Sequence, residues 1–221
     1  PQQALQISMG LGDILVLTGE YPAARSHYQS ALQLLIGLDP DRYATDKSTL
    51  LRKVATTHER QGDYESALRY LTQAEQTLAN TPQSIPVEQA QILNDTGWIQ
   101  FRHGNFDEAE KSLLKALSLA QEVNRPDVTA SIYNRLGGVF YQKDKLDQAS
   151  YYVQKSLALR EEIGDILAVA RSYNNLGLLG WKSGRWDDAI SSFTRCLELN
   201  ANLGDVEGAI ELHGNLGLLY N

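Results

Sequence analysis

A six-residue block recurs five times along this chain of 221 residues. Gly19-Glu20-Tyr21-Pro22-Ala23-Ala24 aligns with Gly62-Asp63-Tyr64-Glu65-Ser66-Ala67 and with Gly104-Asn105-Phe106-Asp107-Glu108-Ala109. Asp144-Lys145-Leu146-Asp147-Gln148-Ala149 and Gly184-Arg185-Trp186-Asp187-Asp188-Ala189 complete the set. The closing alanines are spaced by 43, 42, 40 and 40 residues. A repeat of this length is one supersecondary unit that cannot bury its apolar face alone, so successive units must stack.

Two further series keep the same interval. Twelve residues before each alanine lie Gly12, Ala55, Gly97, Gly137 and Gly177, and the series continues at Gly217. Seven residues after each alanine lie Ala31, Ala74, Ala116, Ser156 and Cys196, all small. Apolar residues recur at three and four, as in Leu113, Leu114, Ala116, Leu117, Leu119 and Ala120, which is the helical period. The Gly or Asp opening each block breaks that pattern and marks a tight turn between two helices. Each unit therefore reads as a helical hairpin. The Gly12 and Ala24 series let its two helices approach closely, and the Ala31 series is expected to meet the next hairpin.

Between hairpins, Asn124, Gly164 and Gly204 recur at intervals of forty and suit a left-handed helix terminus. The first two junctions are richer in turn formers: Asp39-Pro40-Asp41, and Asn80-Thr81-Pro82 with Pro86 after it. Eleven helices are expected, starting near residues 2, 22, 45, 64, 87, 107, 127, 147, 167, 187 and 206. The expected fold class is all-α, because alternating Val, Ile and Thr are nearly absent.

This pattern resembles the tetratricopeptide repeat (TPR), most locally at Tyr173-Asn174-Asn175-Leu176-Gly177 followed by Gly184, Trp186 and Ala189. The period departs from the common 34 residues. It is similar to the longer variety, near 40, of Pins/LGN-type scaffolds, kinesin light chains and MalT-like regions of bacterial signalling proteins. The resemblance implies a right-handed α-solenoid, with the first helix of each hairpin lining a concave groove. It covers residues 1–221 as a single domain of about five and a half units: 2–40, 45–82, 87–125, 127–165, 167–205 and a half unit, 206–221.

Composition narrows the function. Lys and Arg total 20 against 27 Asp and Glu, a net charge of −7, which disfavours general binding to phosphate backbones, single-stranded RNA included. Apolar residues make up 43%, enough for a sizeable core, yet no run approaches the ~20 apolar residues needed to span a bilayer. Cys196 is the only cysteine, so neither an intramolecular disulfide nor a cysteine zinc cluster is available. The four histidines, His27, His58, His103 and His213, have no metal-ligand spacing. No phosphate loop, dinucleotide turn, His-Glu-x-x-His or Gly-x-Ser-x-Gly motif occurs. The expectation is a non-enzymatic, cytoplasmic chain without cofactor or metal. Beginning at Pro1 and ending inside a periodic pattern, it reads as a fragment of a longer protein.

Function then falls to a surface. On each first helix, positions three before, one after and four after the small residue share a face. They are Met9, Asp13, Val16; Arg52, Thr56, Glu59; Asn94, Trp98, Phe101; Asn134, Gly138, Tyr141; and Asn174, Leu178, Trp181. By resemblance this face lines the groove. Asn94, Asn134 and Asn174 form a ladder whose amides can bond an extended peptide backbone. The alternative is that Asn is a common repeat residue that caps neighbouring helices or meets water. Trp98, Phe101, Tyr141 and Trp181 are candidate anchors for apolar side chains. Arg52, Arg60, Arg102, Arg171 and Lys182 gather near this face and favour a partner with acidic residues or a free carboxylate. The expected site is Arg52, Asn94, Trp98, Phe101, Arg102, Asn134, Tyr141, Asn174, Trp181 and Lys182, binding a peptide or protein segment as the sensor or scaffold arm of a larger signalling protein. The competing reading is an autoinhibitory or structural module that packs on its own protein or self-associates through the terminal half repeat.

Overall fold

The computed structural model describes residues 2–81 and 85–204. Among them the chain forms ten α-helices and no strand: α1 (Gln2–Leu17), α2 (Tyr21–Leu34), α3 (Ala44–Arg60), α4 (Tyr64–Ala79), α5 (Pro86–Arg102), α6 (Phe106–Glu122), α7 (Pro126–Gln142), α8 (Leu146–Ile163), α9 (Ile166–Lys182) and α10 (Trp186–Leu203). Each start falls within one residue of its expected position. The eleventh helix expected near 206, with Leu212, Leu216 and Leu219, lies outside the described residues.

Turn chemistry sets these boundaries. Gly62, Gly104 and Gly184 follow helix ends with φ of 79°, 88° and 70°. The next amide then reaches five residues back: Asp63 N–H to the His58 carbonyl at 3.0 Å, and Arg185 N–H to that of Gly180 at 2.9 Å. This is a Schellman closure, and it reverses the chain in two residues. Asp144 takes the same left-handed conformation with φ 59°, at a cost that Gly avoids. Asp63 and Asp165 then cap the helices they precede, accepting from the amides of Ser66 and Ala168, each at 3.1 Å. At the hairpin junctions Asn124, Gly164 and Gly204 are also left-handed, as their spacing predicts.

Small residues bring each hairpin together. A Cβ added to Gly12 would lie 2.3 Å from the Tyr28 ring, and one on Gly97 2.6 Å from Leu113. Gly137 and Gly177 meet Val153 and Phe193 in the same way, each at 2.5 Å. Each glycine thus seats the side chain four residues after the block alanine rather than the alanine itself. The alanines at 24, 67, 109, 149 and 189 are fully buried. The third series meets both its own hairpin and the next: Ala31 shares a cluster with Leu50 and Val54, and Ala74 one with Ile92 and Ile99. Ser156 donates to the Ala130 carbonyl at 2.7 Å within its own hairpin, and Cys196 clusters with Ala170, Ala189 and Phe193 of its own hairpin.

The chain divides into two compact units, 1–123 and 124–221. In the first, α1–α6 form three hairpins with two apolar clusters. One gathers Leu5, Ala24, Tyr28 and Ala31 with Leu50 and Val54; the other gathers Leu51, Ala55, Leu71 and Ala74 with Ile92 and Ile99. Helices α3 and α5 thereby each present one face to their own hairpin and another to the hairpin before it. In the second unit, α7–α8 and α9–α10 form two hairpins, with Val153 and Phe193 at their close crossings.

Candidate functional site

In the first unit the expected face is a concavity. A cavity of about 350 Å³ is lined by Asp13 and Val16 of α1, Tyr28 of α2, Thr49, Arg52, Lys53 and Thr56 of α3, and Asp95 of α5. Asp13, Val16, Arg52 and Thr56, half of this lining, are groove positions read from the repeat. Its floor is ionic. Arg52 donates through Nε and Nη2 to Asp95 at 3.0 and 2.9 Å, through Nη1 to both Glu88 oxygens at 3.2 Å, and to Gln91 at 2.6 Å. Ser48 and Thr49 also donate to Glu88, which is buried. Burial works against the Arg52 charge, but Asp95 and Glu88 outweigh it and hold its pKa above the ordinary value. Asp13 accepts from Tyr28 Oη at 2.7 Å and pairs with Lys53. Burial, then Asp13, pushes the Tyr28 phenol pKa up.

Beside this network Trp98 stacks on Phe101, with centroids 5.4 Å apart and planes 20° off parallel. Arg102 lies 5.7 Å over the Trp98 ring and pairs with buried Glu59 at 3.3 Å. Asn94 is buried, so it presents little surface to a ligand.

In the second unit the face is built of amides and aromatics. Asn134 Oδ1 accepts from Asn175 Nδ2 at 2.9 Å and from Arg160 Nη1 at 3.4 Å. Its amide nitrogen remains available as a donor. Asn174 is half-buried, and its side chain makes no hydrogen bond among the described residues. Lys182 sits 4.4 Å over the Tyr141 ring, donates to the Tyr141 carbonyl at 3.2 Å and pairs with Asp144 at 2.9 Å. Trp181 is 43% exposed.

Two consequences bear on the expected site. Arg52, Arg102 and Lys182 are each matched by a carboxylate of this chain, whereas exposed Arg171 forms no ion pair among the described residues. Sequence reasoning also missed Arg160 and Ser172. Arg160 donates to Ser172 Oγ at 2.7 Å and to the Ala168 carbonyl at 3.0 Å. These two residues occupy repeat positions held by Leu35 or Leu78 and by Leu50 or Ile92 elsewhere. The paired loss of an apolar residue, twelve apart, was the available signal.

Among the described residues no group of three or more His, Cys, Asp or Glu could hold a metal ion. No helix there is long and apolar enough to cross a membrane.

A tetratricopeptide repeat family model matches residues 3–79, 88–162 and 128–202. No curated protein matches the sequence. Among solved structures, BtubC (BKLC) from P. vanneervenii is similar, with a TM-score of 0.72 at 24% identity over 88% of this chain and 78% of that one. Aspartyl phosphate phosphatase F from Bacillus subtilis gives a TM-score of 0.83 at 16% identity, over 98% of this chain and 55% of that one. The Rap conjugation gene regulator of plasmid pLS20, in complex with a Phr peptide, gives 0.79 at 19% identity, over 95% of this chain and 56% of that one. The chain thus spans just over half the length of the last two. At these identities the likeness is one of fold.

Proposed function

The chain belongs to the tetratricopeptide repeat family, and on that premise we propose that it is a non-catalytic interaction module that holds an extended peptide or protein segment against its first-helix faces. The observation that carries this reading is the face of α7 and α9. There Asn174 makes no side-chain hydrogen bond among the described residues and Trp181 is exposed, while Asn134 gives only its oxygen to the hydrogen bonds it makes there and shares one helical face with Tyr141. An amide offering both donor and acceptor can bond a peptide unit irrespective of its side chains. The rings then take apolar side chains of the same segment.

The Asn ladder is revised in two rungs. Asn94 is buried, and Asn134 already gives its oxygen to the next repeat, so Asn174 is the principal rung. An acidic partner finds exposed Arg171, which forms no ion pair among the described residues, or reaches Lys182 by displacing Asp144. The peptide in the Rap regulator complex supports a peptide as ligand class. A place as the cytoplasmic sensor or scaffold arm of a larger signalling protein is part of this proposal.

One observation favours a structural reading instead. Arg52, Arg102 and Asn134 all bond residues one repeat away, which is what a self-packing module needs. The two readings separate by experiment. A partner is captured with the intact chain, and its affinity is measured by titration calorimetry for Asn174→Ala, Trp181→Ala and Lys155→Ala. Losing the Asn174 amide leaves a peptide group unsatisfied and weakens binding by about 1–3 kcal/mol. Lys155 is exposed and reaches only its neighbour Tyr151, so its removal changes nothing. Equal affinities for all three, in folded proteins, sink the groove reading.

A further inference from the structure

A cavity of about 570 Å³ lies away from the groove positions of the first helices, between the junction 35–43 and α4. It accompanies a short α2. This helix ends ten residues after Ala24, whereas α8 and α10 run fourteen past Ala149 and Ala189. Nine residues, 35–43, then join α2 to α3, against three at 123–125 and two at 164–165. Turn bonds hold the longer junction in shape. Gly37 is left-handed with φ 80°, Leu38 N–H donates to the Leu35 carbonyl at 3.2 Å, and Asp39 Oδ1 accepts from the Asp41 and Arg42 amides at 3.0 and 3.4 Å. The volume falls within the ~300–1,000 Å³ of preformed ligand sites.

The α4 wall of this cavity departs from the repeat. Gln73, Gln76, Thr77 and Asn80 line it at helical spacings of three and four, so they share one face. Where α4 has Gln73, the helices α6, α8 and α10 have Lys115, Lys155 and Arg195; where it has Thr77, they have Leu119, Leu159 and Leu199. The wall is thus uncharged and rich in amides. The side-chain amides of Gln73, Gln76 and Asn80 make no hydrogen bond among the described residues. Apolar groups complete the lining: Leu51 of α3 is buried, and Ile36 of the junction is 70% exposed. The charges there, Lys47 against Asp39 and Asp41, are of both signs, so neither a cation nor an anion is singled out.

We propose that this cavity binds an extended, uncharged peptide segment through its main chain, with one aliphatic side chain set on Leu51. A side-chain amide gives an N–H to a peptide carbonyl and accepts from a peptide N–H. Gln76 and Asn80 stand one helical turn apart, about 6 Å along α4. An extended chain presents the N–H and C=O of alternate residues along one edge every ~6.6–6.8 Å. Two amides at that interval pair with two alternate residues, whatever their side chains. Side chains of the segment alternate in direction, and the one turned toward Leu51 gains most if it is aliphatic. A saccharide competes for the same amides but brings no aliphatic branch for that floor. The cavity belongs to the first unit, so this reading does not rest on the α7–α9 face.

The test is titration of the whole isotope-labelled chain with the capped tripeptide acetyl-Ala-Leu-Ala N-methylamide, followed through the side-chain amide resonances of Gln73, Gln76 and Asn80. Those signals should shift and saturate with a dissociation constant below about 1 mM, an affinity that a ligand of this size reaches in a preformed site. Gln76→Leu and Asn80→Leu should each raise that constant at least about 10-fold, because a peptide group loses its partner. Both residues are exposed, so circular dichroism should show full helicity in either variant. Glycine in place of the central leucine of the peptide should also weaken binding at least about 10-fold. Asn174→Ala should leave all of this unchanged, which separates the outcome from that of the α7–α9 face. No saturable shift up to about 10 mM peptide overturns the proposal. Equal affinity for the leucine and glycine peptides, or unchanged affinity in both variants, overturns it as well. Shifts produced by maltose where the tripeptide produces none assign the cavity to a saccharide and overturn it equally.

Discussion

The α3–α5 seam of the first unit and the α7–α9 seam of the second use the same repeat positions for opposite ends. At the position three before the small residue, α3 has Arg52, which grips Glu88, Gln91 and Asp95 of α5. In α7 the same position is Asn134, which bonds α9 through its oxygen alone. Four after the small residue, α3 has buried Glu59 paired with Arg102, whereas α7 has Tyr141 beneath Lys182. Charged groups aimed at the next hairpin are spent largely on partners within the chain. Amides and rings are spent less, and on the proposed reading the groups they keep are the ones that meet a partner.

The largest effect that tests this contrast is Arg52→Ala. It strands Glu88, which is buried, and should destabilise the first unit by about 3–5 kcal/mol, read by urea denaturation. A loss under about 1 kcal/mol, the ordinary worth of an exposed ion pair, would erase the distinction. Next comes packing, which the contrast holds equal in both units. Gly97→Leu and Gly177→Leu each force a side chain into a crossing already at contact and should cost about 1–3 kcal/mol or more. Unchanged melting for either shows that hairpin to be looser than its glycine contact implies.

A smaller effect sharpens the second unit. Asp144→Gly removes the left-handed strain of a non-glycine residue and should stabilise by about 0.5–1 kcal/mol. It also frees Lys182 from its carboxylate, so affinity for an acidic peptide rises in the same variant. Destabilisation would mean that the Lys182–Asp144 pair holds α7 to α9 as Arg52 holds α3 to α5. The smallest effect is one of pH. Burial and nearby Arg25 depress the His58 pKa below its ordinary 6.5, against the pull of Asp63. The unfolded chain therefore binds the proton first on acidification. Stability is full above about 6.5 and falls as pH drops below it, the order expected for a histidine held neutral in the fold. Melting curves at pH about 7.5 and 5.5 for the parent and His58→Gln measure it; equal acid sensitivity of the two excludes His58.

Much of the fold was legible because its signals are local. The left-handed residue and the Schellman closure act within six residues, so helix starts followed from Gly62, Gly104 and Gly184 alone. The glycine crossings were legible in existence but not in partner, since the residue that fills Gly177 is Phe193 and not the conserved-spacing Ala189. The repeat positions of the candidate site were legible, but the side-chain pairings made there were not. Arg52 meets Asp95 across 43 residues, and Asn134 meets Asn175 across 41, one residue off the repeat interval. Such pairings depend on side-chain length and direction, which periodicity does not carry.

The central claim is that a partner lies on the α7–α9 face. Hydrogen exchange of the intact chain with and without a captured peptide measures this directly. Binding should slow exchange in α7 around 134–142 and in α9 around 174–183, and leave α8 and α10 unchanged. Protection confined to α8 or α10, with none in α7 or α9, would contradict the account.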